Sequence, residues 1–177
     1  DAEQDWELWR TVFKNVIAPS DELTEAVESL SLYWNEELNV EATFVLKTIK
    51  HFRNEDEIES VKMLPMYKDD EDRKFALDLL HNTLANEKLY RSYIDRFTKN
   101  WEIERIAFMD NLIISIAIAE LTNFDSIPVK VTLDEWIDIA KYYSSPTSSN
   151  FVNGVLDKIV AELTESGRIK KSGRGLL

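Results

Sequence analysis

Apolar residues recur every three or four positions along most of the chain, which is the periodicity of an amphipathic helix. The first such stripe runs from Trp6 to Ile17 and ends before Pro19. Ser20 then stands where it can cap a second helix, whose first turn carries two acids that the helix dipole favours. Asn39 is expected to cap a third helix. No strand-like alternation extends beyond four residues.

The second half of the chain contains five further predicted helices. The helix expected between Asn100 and about Thr122 is so apolar that we predict burial on several of its sides. The sequence therefore predicts an all-α fold of about eight helices. The other four are expected to begin at the acidic run 69–74, near Asn86, at the capping box Thr132–Glu135 and near residue 149.

Composition agrees with a helical protein of one compact domain or two small ones. The 177 residues are 44% hydrophobic, and four Gly and four Pro supply few turns for an all-β fold. No apolar run reaches the roughly 18 residues that span a bilayer. The absence of cysteine excludes disulfides, thiolate zinc sites and cysteine nucleophiles. We expect a cytoplasmic protein that does not enter the membrane.

Signs of catalytic or metal chemistry are sparse. His51 and His81 lie in helical stretches without a second ligand three or four residues away. The acidic run 69–74 lacks the calcium-loop spacing and its central glycine, so a helix start explains it better. Neither a glycine-rich phosphate loop nor a nucleophile elbow is present. We predict a protein that is not an enzyme and holds no metal or cofactor.

Charge is unevenly distributed along the chain. Residues 1–65 carry 15 acids against 6 bases, and residues 66–140 carry 15 against 9. Residues 141–177 reverse the balance, with 3 acids against 6 bases. The body of the protein therefore repels a polyanion, and the C-terminal segment alone attracts one. A solvated acidic surface with a basic tail is the simpler interpretation of the same pattern.

Two stretches resemble the bacterial NusB family of transcription antitermination factors. They read NWEIERIAFMDNLIISIAIAEL at 100–121 and SIPVKVTLDEWIDIAKYYSSPTSSNFVNGVLDKI at 126–159, and FVNGVLDKI is among the most specific pieces. The resemblance covers roughly residues 66–166. Residues 1–65 look like the extra helices of longer members. We therefore predict an N-terminal helical region, 1–65, and a NusB-like domain, 66–177, with a basic C-terminal tail.

The resemblance carries expectations about architecture and partners. It implies an all-helical fold of two small subdomains and no cofactor. It implies a heterodimer with NusE, a small-subunit ribosomal protein. That pair would recognise single-stranded boxA-type RNA in the transcription elongation complex and help RNA polymerase pass terminators during ribosomal RNA synthesis.

The resemblance also implies an RNA contact at Phe151, which opens the last helix. Read as a structural residue, Phe151 is a hydrophobic staple, and Gly154 lets the helix approach a neighbour closely. Read as a functional residue, Phe151 lies out of step with the apolar stripe of that helix and is substantially exposed. A single-stranded RNA base would then stack on its ring, a contact worth roughly 1–3 kcal/mol.

Four residues before Phe151 occupy the adjoining positions of the family's RNA-binding loop. Asn150 stands where well-known members carry a lysine, which removes a charge and weakens phosphate attraction. The family also begins with an arginine-rich arm, whereas residues 1–10 here are acidic and start without methionine. Either the true N-terminus is missing, which the absent methionine favours, or the protein binds RNA poorly. The adjoining positions are Thr147, Ser148, Ser149 and Asn150.

Two acids match positions where the family meets NusE. Glu104 and Asp110 would suit a basic ribosomal partner, although either is also explained as a solvated acid on a helix face. Two other functions remain open. One is a NusB-like accessory domain of the kind fused to ribosomal RNA cytosine methyltransferases, and the other is a protein-interaction module without an RNA role.

Overall fold

The computed structural model describes residues 2–31, 34, 38–51, 65–98, 107–145 and 147–176. Within these ranges the chain forms eight α-helices and no strand, which confirms the predicted all-α class. None of the described helices is both long and apolar enough to cross a membrane. The helices are α1 (Ala2–Val12), α2 (Asp21–Leu30), α3 (Leu38–His51), α4 (Asp70–Ala85), α5 (Glu87–Thr98), α6 (Phe108–Asn123), α7 (Val129–Tyr143) and α8 (Ser148–Glu165).

The chain forms two compact units, Asp1–Lys68 and Asp69–Leu177. In the first unit, α1 continues as a π-helical turn over Phe13–Ile17. Trp6 ties α1 to α3, since its indole nitrogen donates to the carbonyl oxygen of Ile49 at 2.6 Å. No described side chain of this unit is fully buried. Among the described residues, its helices are therefore held by partial burial together with polar contacts such as that of Trp6.

The two caps predicted in the first unit have different outcomes. Ser20 caps α2, and its hydroxyl oxygen accepts a hydrogen bond from the backbone nitrogen of Leu23 at 3.2 Å. The prediction for Asn39 is wrong, because α3 begins at Leu38 and Asn39 already lies inside the helix.

The second unit is built around α6, which packs against α4, α5, α7 and α8. Nearly every residue of α6 from Ile113 to Leu121 is buried, which confirms the prediction from its continuous apolar sequence. Burying one aliphatic side chain contributes roughly 1.5–3 kcal/mol, so this helix is the main hydrophobic anchor of the unit. Its buried neighbours are Tyr90, Tyr93, Ile94, Ala140, Val152, Val155, Leu156, Ile159 and Leu163.

The start of α4 agrees with the sequence prediction. The Asp69 carboxylate accepts from the backbone nitrogen of Asp72 at 3.0 Å, and three acids occupy the first turn. The described residues contain no cluster of three or more acids or histidines arranged to hold a metal ion. The predicted restart near Asn86 is also confirmed, because α5 begins at Glu87.

Two other predicted helix starts are wrong. Ala107 has an extended backbone with ψ of 141°, so α6 begins at Phe108, and the helix predicted from Asn100 is not continuous. Asn100 itself lies outside the described residues. The helix α7 begins after Pro128, three residues before the capping-box threonine Thr132. The reason is that proline presets φ for a helix start, while Thr132 is wholly buried.

The chain reverses direction after α8 through a Schellman motif. Gly167 adopts a left-handed conformation with φ of 66°, and the backbone nitrogen of Arg168 donates to the carbonyl oxygen of Leu163 at 2.8 Å. The following residues return to the turn between α6 and α7. There the backbone nitrogen of Ser172 donates to the carbonyl oxygen of Asp125 at 2.9 Å.

We predict that Gly175→Ala loosens this C-terminal attachment. A Cβ atom on Gly175 would lie 1.9 Å from the carbonyl oxygen of Asp125, so the backbone must shift. We expect a loss of about 1–3 kcal/mol in the free energy of unfolding measured with urea. Gly154→Ala is the matched control, because nothing lies within 4 Å of its Cβ position. It should raise stability by about 0.5–1 kcal/mol, since alanine favours the helix. Equal effects of the two substitutions would contradict this packing.

Candidate nucleic-acid interface

A buried polar cluster joins α6, α7 and α8 at one end of the second unit. We call Asp110, Ser144 and Ser148 the Asp–Ser brace. Asp110, in the first turn of α6, accepts a hydrogen bond from the Ser148 hydroxyl at 3.0 Å and another from the Ser144 hydroxyl. The two serine hydroxyls also lie 2.9 Å apart. The brace therefore fixes the end of α7 and the start of α8 on the start of α6.

The short connection between α7 and α8 is tied to the same brace. The backbone nitrogen of Ser145 donates to the Ser148 hydroxyl oxygen at 3.2 Å, and the backbone nitrogen of Ser148 donates back to the Ser145 carbonyl at 2.9 Å. Thr147 lies 3.3 Å from the Ser145 hydroxyl. It precedes α8 without making a side-chain cap. Ser145 and Thr147 are thus both linked by hydrogen bonds to the start of α8 or to each other.

The structure separates the predicted RNA-contacting loop residues into two groups. Thr147 and Asn150 are exposed, and Ser149 is partly exposed. Ser148 is only 2% exposed, and its hydroxyl is bound to Asp110. The structure therefore gives Ser148 a role in the brace and corrects the expectation that its side chain faces RNA.

Phe151 is half-buried and packs against the hydrophobic core. The expectation of a substantially exposed ring, out of step with the apolar stripe, is wrong. Phe151 precedes the buried Val155 by four residues, and that spacing places the two on one face of α8. Phe151 thus combines packing against the core with an intermediate exposure to solvent.

Gly154 follows on the exposed face of α8. No atom lies within 4 Å of the position that a Cβ would occupy. The interpretation that this glycine permits close packing against a neighbouring helix is therefore wrong within the described part of the chain. Because glycine has no side chain, Gly154 leaves the helix backbone exposed three residues after Phe151.

The two acids predicted to meet NusE have different outcomes. Asp110 is 6% exposed, and both carboxylate oxygens accept hydrogen bonds inside the protein. It is therefore a structural residue of the brace, and the expectation of a surface acid is corrected. Glu104 lies outside the described residues.

Sequence reasoning missed the brace and a second buried acid in α6. Glu120 is 5% exposed, and its carboxylate accepts a hydrogen bond from the indole nitrogen of Trp136 at 3.1 Å. The available signal was the presence of acids in an otherwise apolar helix, at its first and last turns. An acid there requires a buried donor, and the nearby serines and tryptophan supply one.

Comparison with known proteins agrees with the all-helical fold. A sequence model of the NusB family matches residues 42–161. Transcription antitermination protein NusB of Salinibacter ruber (strain DSM 13855 / M31) is 41% identical over 123 residues, which are 70% of this chain and 77% of that protein. The protein of the same name from Chloroherpeton thalassium (strain ATCC 35110 / GB-78) is 39% identical over 105 residues, which are 59% of this chain and 50% of that protein.

A solved structure of T. maritima NusB is also similar. It has a TM-score of 0.51 and 30% sequence identity, and the match covers 65% of this chain and 82% of that one. These likenesses define a non-catalytic class of helical transcription factor. Within that class, the chain belongs to the NusB family. The family match begins at residue 42, earlier than the resemblance at 66–166 indicated.

We predict that Asp110→Ala destabilises the second unit. The substitution leaves the Ser144 and Ser148 hydroxyls without their buried acceptor, which should lower the free energy of unfolding by about 1–3 kcal/mol. Urea unfolding followed by circular dichroism measures this loss. Asp134→Ala, which removes an exposed acid from α7, should change stability by less than about 0.5 kcal/mol. A loss no larger at Asp110 than at Asp134 would contradict the brace.

Proposed function

We propose that the protein is a transcription antitermination factor that binds single-stranded boxA-type RNA together with NusE and promotes read-through during ribosomal RNA synthesis. The observation that carries the RNA part is the half-buried Phe151 in the first turn of α8, where exposed Thr147 and Asn150 adjoin it. The antitermination role is supported by the shared name of the similar proteins from Salinibacter ruber and Chloroherpeton thalassium.

An anchored aromatic ring suits base stacking. Because Phe151 packs against the core on one side, the ring loses little conformational freedom when a base covers its accessible part. Each stacked base contributes roughly 1–3 kcal/mol and needs no particular sequence, so the ring supplies affinity more than specificity. The amides at the start of α8 carry partial positive charge, which favours a phosphate beside the stacked base.

Attraction to the RNA backbone is weak at this end of the protein. Asn150 replaces the lysine of well-known family members, and the whole chain has a net charge of −12. Such a surface gains little from counterion release, which supplies most non-specific affinity for nucleic acids. A basic partner such as NusE compensates for this deficit, and the acidic surface favours binding to it.

The two alternatives differ from this proposal in measurable ways. An accessory domain of an RNA methyltransferase requires a catalytic domain attached to the same polypeptide. A pure protein-interaction module binds NusE and has no measurable affinity for RNA. The antitermination proposal is favoured because the relatives reported above carry that function in their names and the family model matches residues 42–161, which include α4 to α7 and most of α8.

The stacking role predicts different effects for two substitutions of Phe151. Phe151→Leu keeps an apolar side chain against the core, so the free energy of unfolding should change by less than about 1.5 kcal/mol. It removes the aromatic ring and should weaken binding of a short boxA-type oligonucleotide by roughly 1–3 kcal/mol. Phe151→Tyr keeps the ring and is the matched control, with affinity close to that of the unsubstituted protein. Fluorescence anisotropy with NusE present measures both affinities.

Two results of that titration would reject the RNA part of the proposal. One is unchanged affinity in Phe151→Leu, which would leave Phe151 as a packing residue alone. The other is an equal loss in Phe151→Leu and Phe151→Tyr, which would indicate a packing defect instead of lost stacking. Urea unfolding of the same samples identifies the second case.

The partner role predicts an effect of charge reversal at Glu104. Glu104→Lys should weaken NusE binding by at least about 2 kcal/mol, because a like charge then faces a basic partner. Isothermal titration calorimetry with purified NusE measures the change. Glu165→Lys makes the same charge change on an exposed site in the last turn of α8 and should leave the affinity nearly unaltered. Unchanged binding in Glu104→Lys would remove this residue from the interface.

A further inference from the structure

Basic residues are concentrated near the end of the sequence. Four bases follow Glu165, and no acid accompanies them. Without these four, the chain would have 33 acids against 17 bases, a net charge of −16. Positive charge is therefore concentrated in a segment that the stacking site does not use. The bases are Arg168, Lys170, Lys171 and Arg174, and we call residues 168–174 the basic segment.

The basic segment is fixed against the body of the second unit. The Schellman turn at Gly167 sets its direction, and Ile169 packs against the core. The Lys171 ammonium donates to the carbonyl oxygen of Phe124 at 2.9 Å. Gly175 then fits closely against the backbone of Asp125. The segment therefore presents its side chains at defined positions and does not behave as a loose tail.

Two of the four bases contact the protein itself, and the other two are exposed without an ion-pair partner among the described residues. Lys171 is half-buried beside Glu120 and Asp125, and burial lowers the pKa of its ammonium group. Arg168 extends over Tyr93, with its guanidinium carbon 5.9 Å from the ring centroid. Lys170 and Arg174 are exposed, and neither forms an ion pair with any residue that the structure describes. These two charges are thus available to an external anion.

We propose that the basic segment binds the phosphate backbone of the RNA strand that extends from Phe151, with Lys170 and Arg174 making the contacts. This inference rests on the proposed RNA-binding function. Phe151 lies in the first turn of α8, and the basic segment follows its last turn. From Phe151 to the end of α8 at Glu165 is a rise of about 21 Å. RNA is favoured over an acidic protein because stacking at Phe151 already brings a polyanion to this helix.

Because the two sites are far apart, the contribution of the basic segment to RNA affinity should depend on the length of the oligonucleotide. An oligonucleotide of about 4 nucleotides, the lower end of single-strand site sizes, occupies the stacking site alone, whereas one of about 30 nucleotides also reaches the basic segment. The test compares both oligonucleotides with the full chain over a range of salt concentrations. The variant is Lys170→Gln combined with Arg174→Gln. The matched control is Lys14→Gln combined with Lys50→Gln, two exposed bases of the first unit.

For the long oligonucleotide, the variant should lower affinity and reduce the slope of log K against log salt by about 1.4, since each lost phosphate contact removes about 0.7. The short oligonucleotide should bind the variant and the unsubstituted protein equally, and the control should change neither. Equal losses of RNA affinity in the variant and the control would show that the overall charge of the protein determines binding, and would overturn the inference. So would an unchanged slope with the long oligonucleotide while the short one still binds.

Two further outcomes separate this inference from the function on which it rests. If neither oligonucleotide binds even at low salt, the proposed RNA function fails and the inference fails with it. If the variant loses binding to a polyaspartate peptide but keeps full affinity for the long RNA, the segment serves an acidic protein, and the RNA assignment is wrong. Because Lys170 and Arg174 are both exposed, the double substitution should leave urea unfolding unchanged.

Discussion

The arrangement of the second unit depends on one buried carboxylate. Asp110 sits in the first turn of a helix that is otherwise almost wholly apolar, and it is tolerated there because two serine hydroxyls donate to it. An acid buried without such donors would cost several kcal/mol. Each serine belongs to a different helix boundary, so supplying both donors requires the end of α7 and the start of α8 to meet at the start of α6. The position of Phe151 follows from this requirement.

A polar contact fixes this geometry more sharply than apolar packing does. Hydrophobic burial is roughly proportional to area and tolerates small rotations of a helix, whereas hydrogen bonds to a buried acid weaken steeply with distance and angle. The core of α6 supplies most of the stabilisation, and the Asp–Ser brace selects one orientation among the packings that the core would accept. The stacking site is thus preorganised by an interaction that itself never reaches the surface.

Local signals predicted much of the fold, and tertiary contacts decided the remainder. Ser20 and Asp69 cap their helices as expected, because a side chain bonding its own first turn is a short-range interaction. The prediction that α7 starts at Thr132 was wrong, because the helix begins directly after Pro128 and Thr132 is buried inside it. Phe151 was expected on the solvent side, although its spacing to Val155 already placed it on the buried face. The role of Asp110 depends on residues 34 and 38 positions away, which no local pattern reports.

The contrast between the two units has a consequence for divergence among relatives. In the first unit no described side chain is fully buried, so most single substitutions there alter stability little. In the second unit a change at α6 disturbs close packing on several sides and is costly. Selection for folding is therefore expected to constrain the described residues of the second unit more strongly than those of the first.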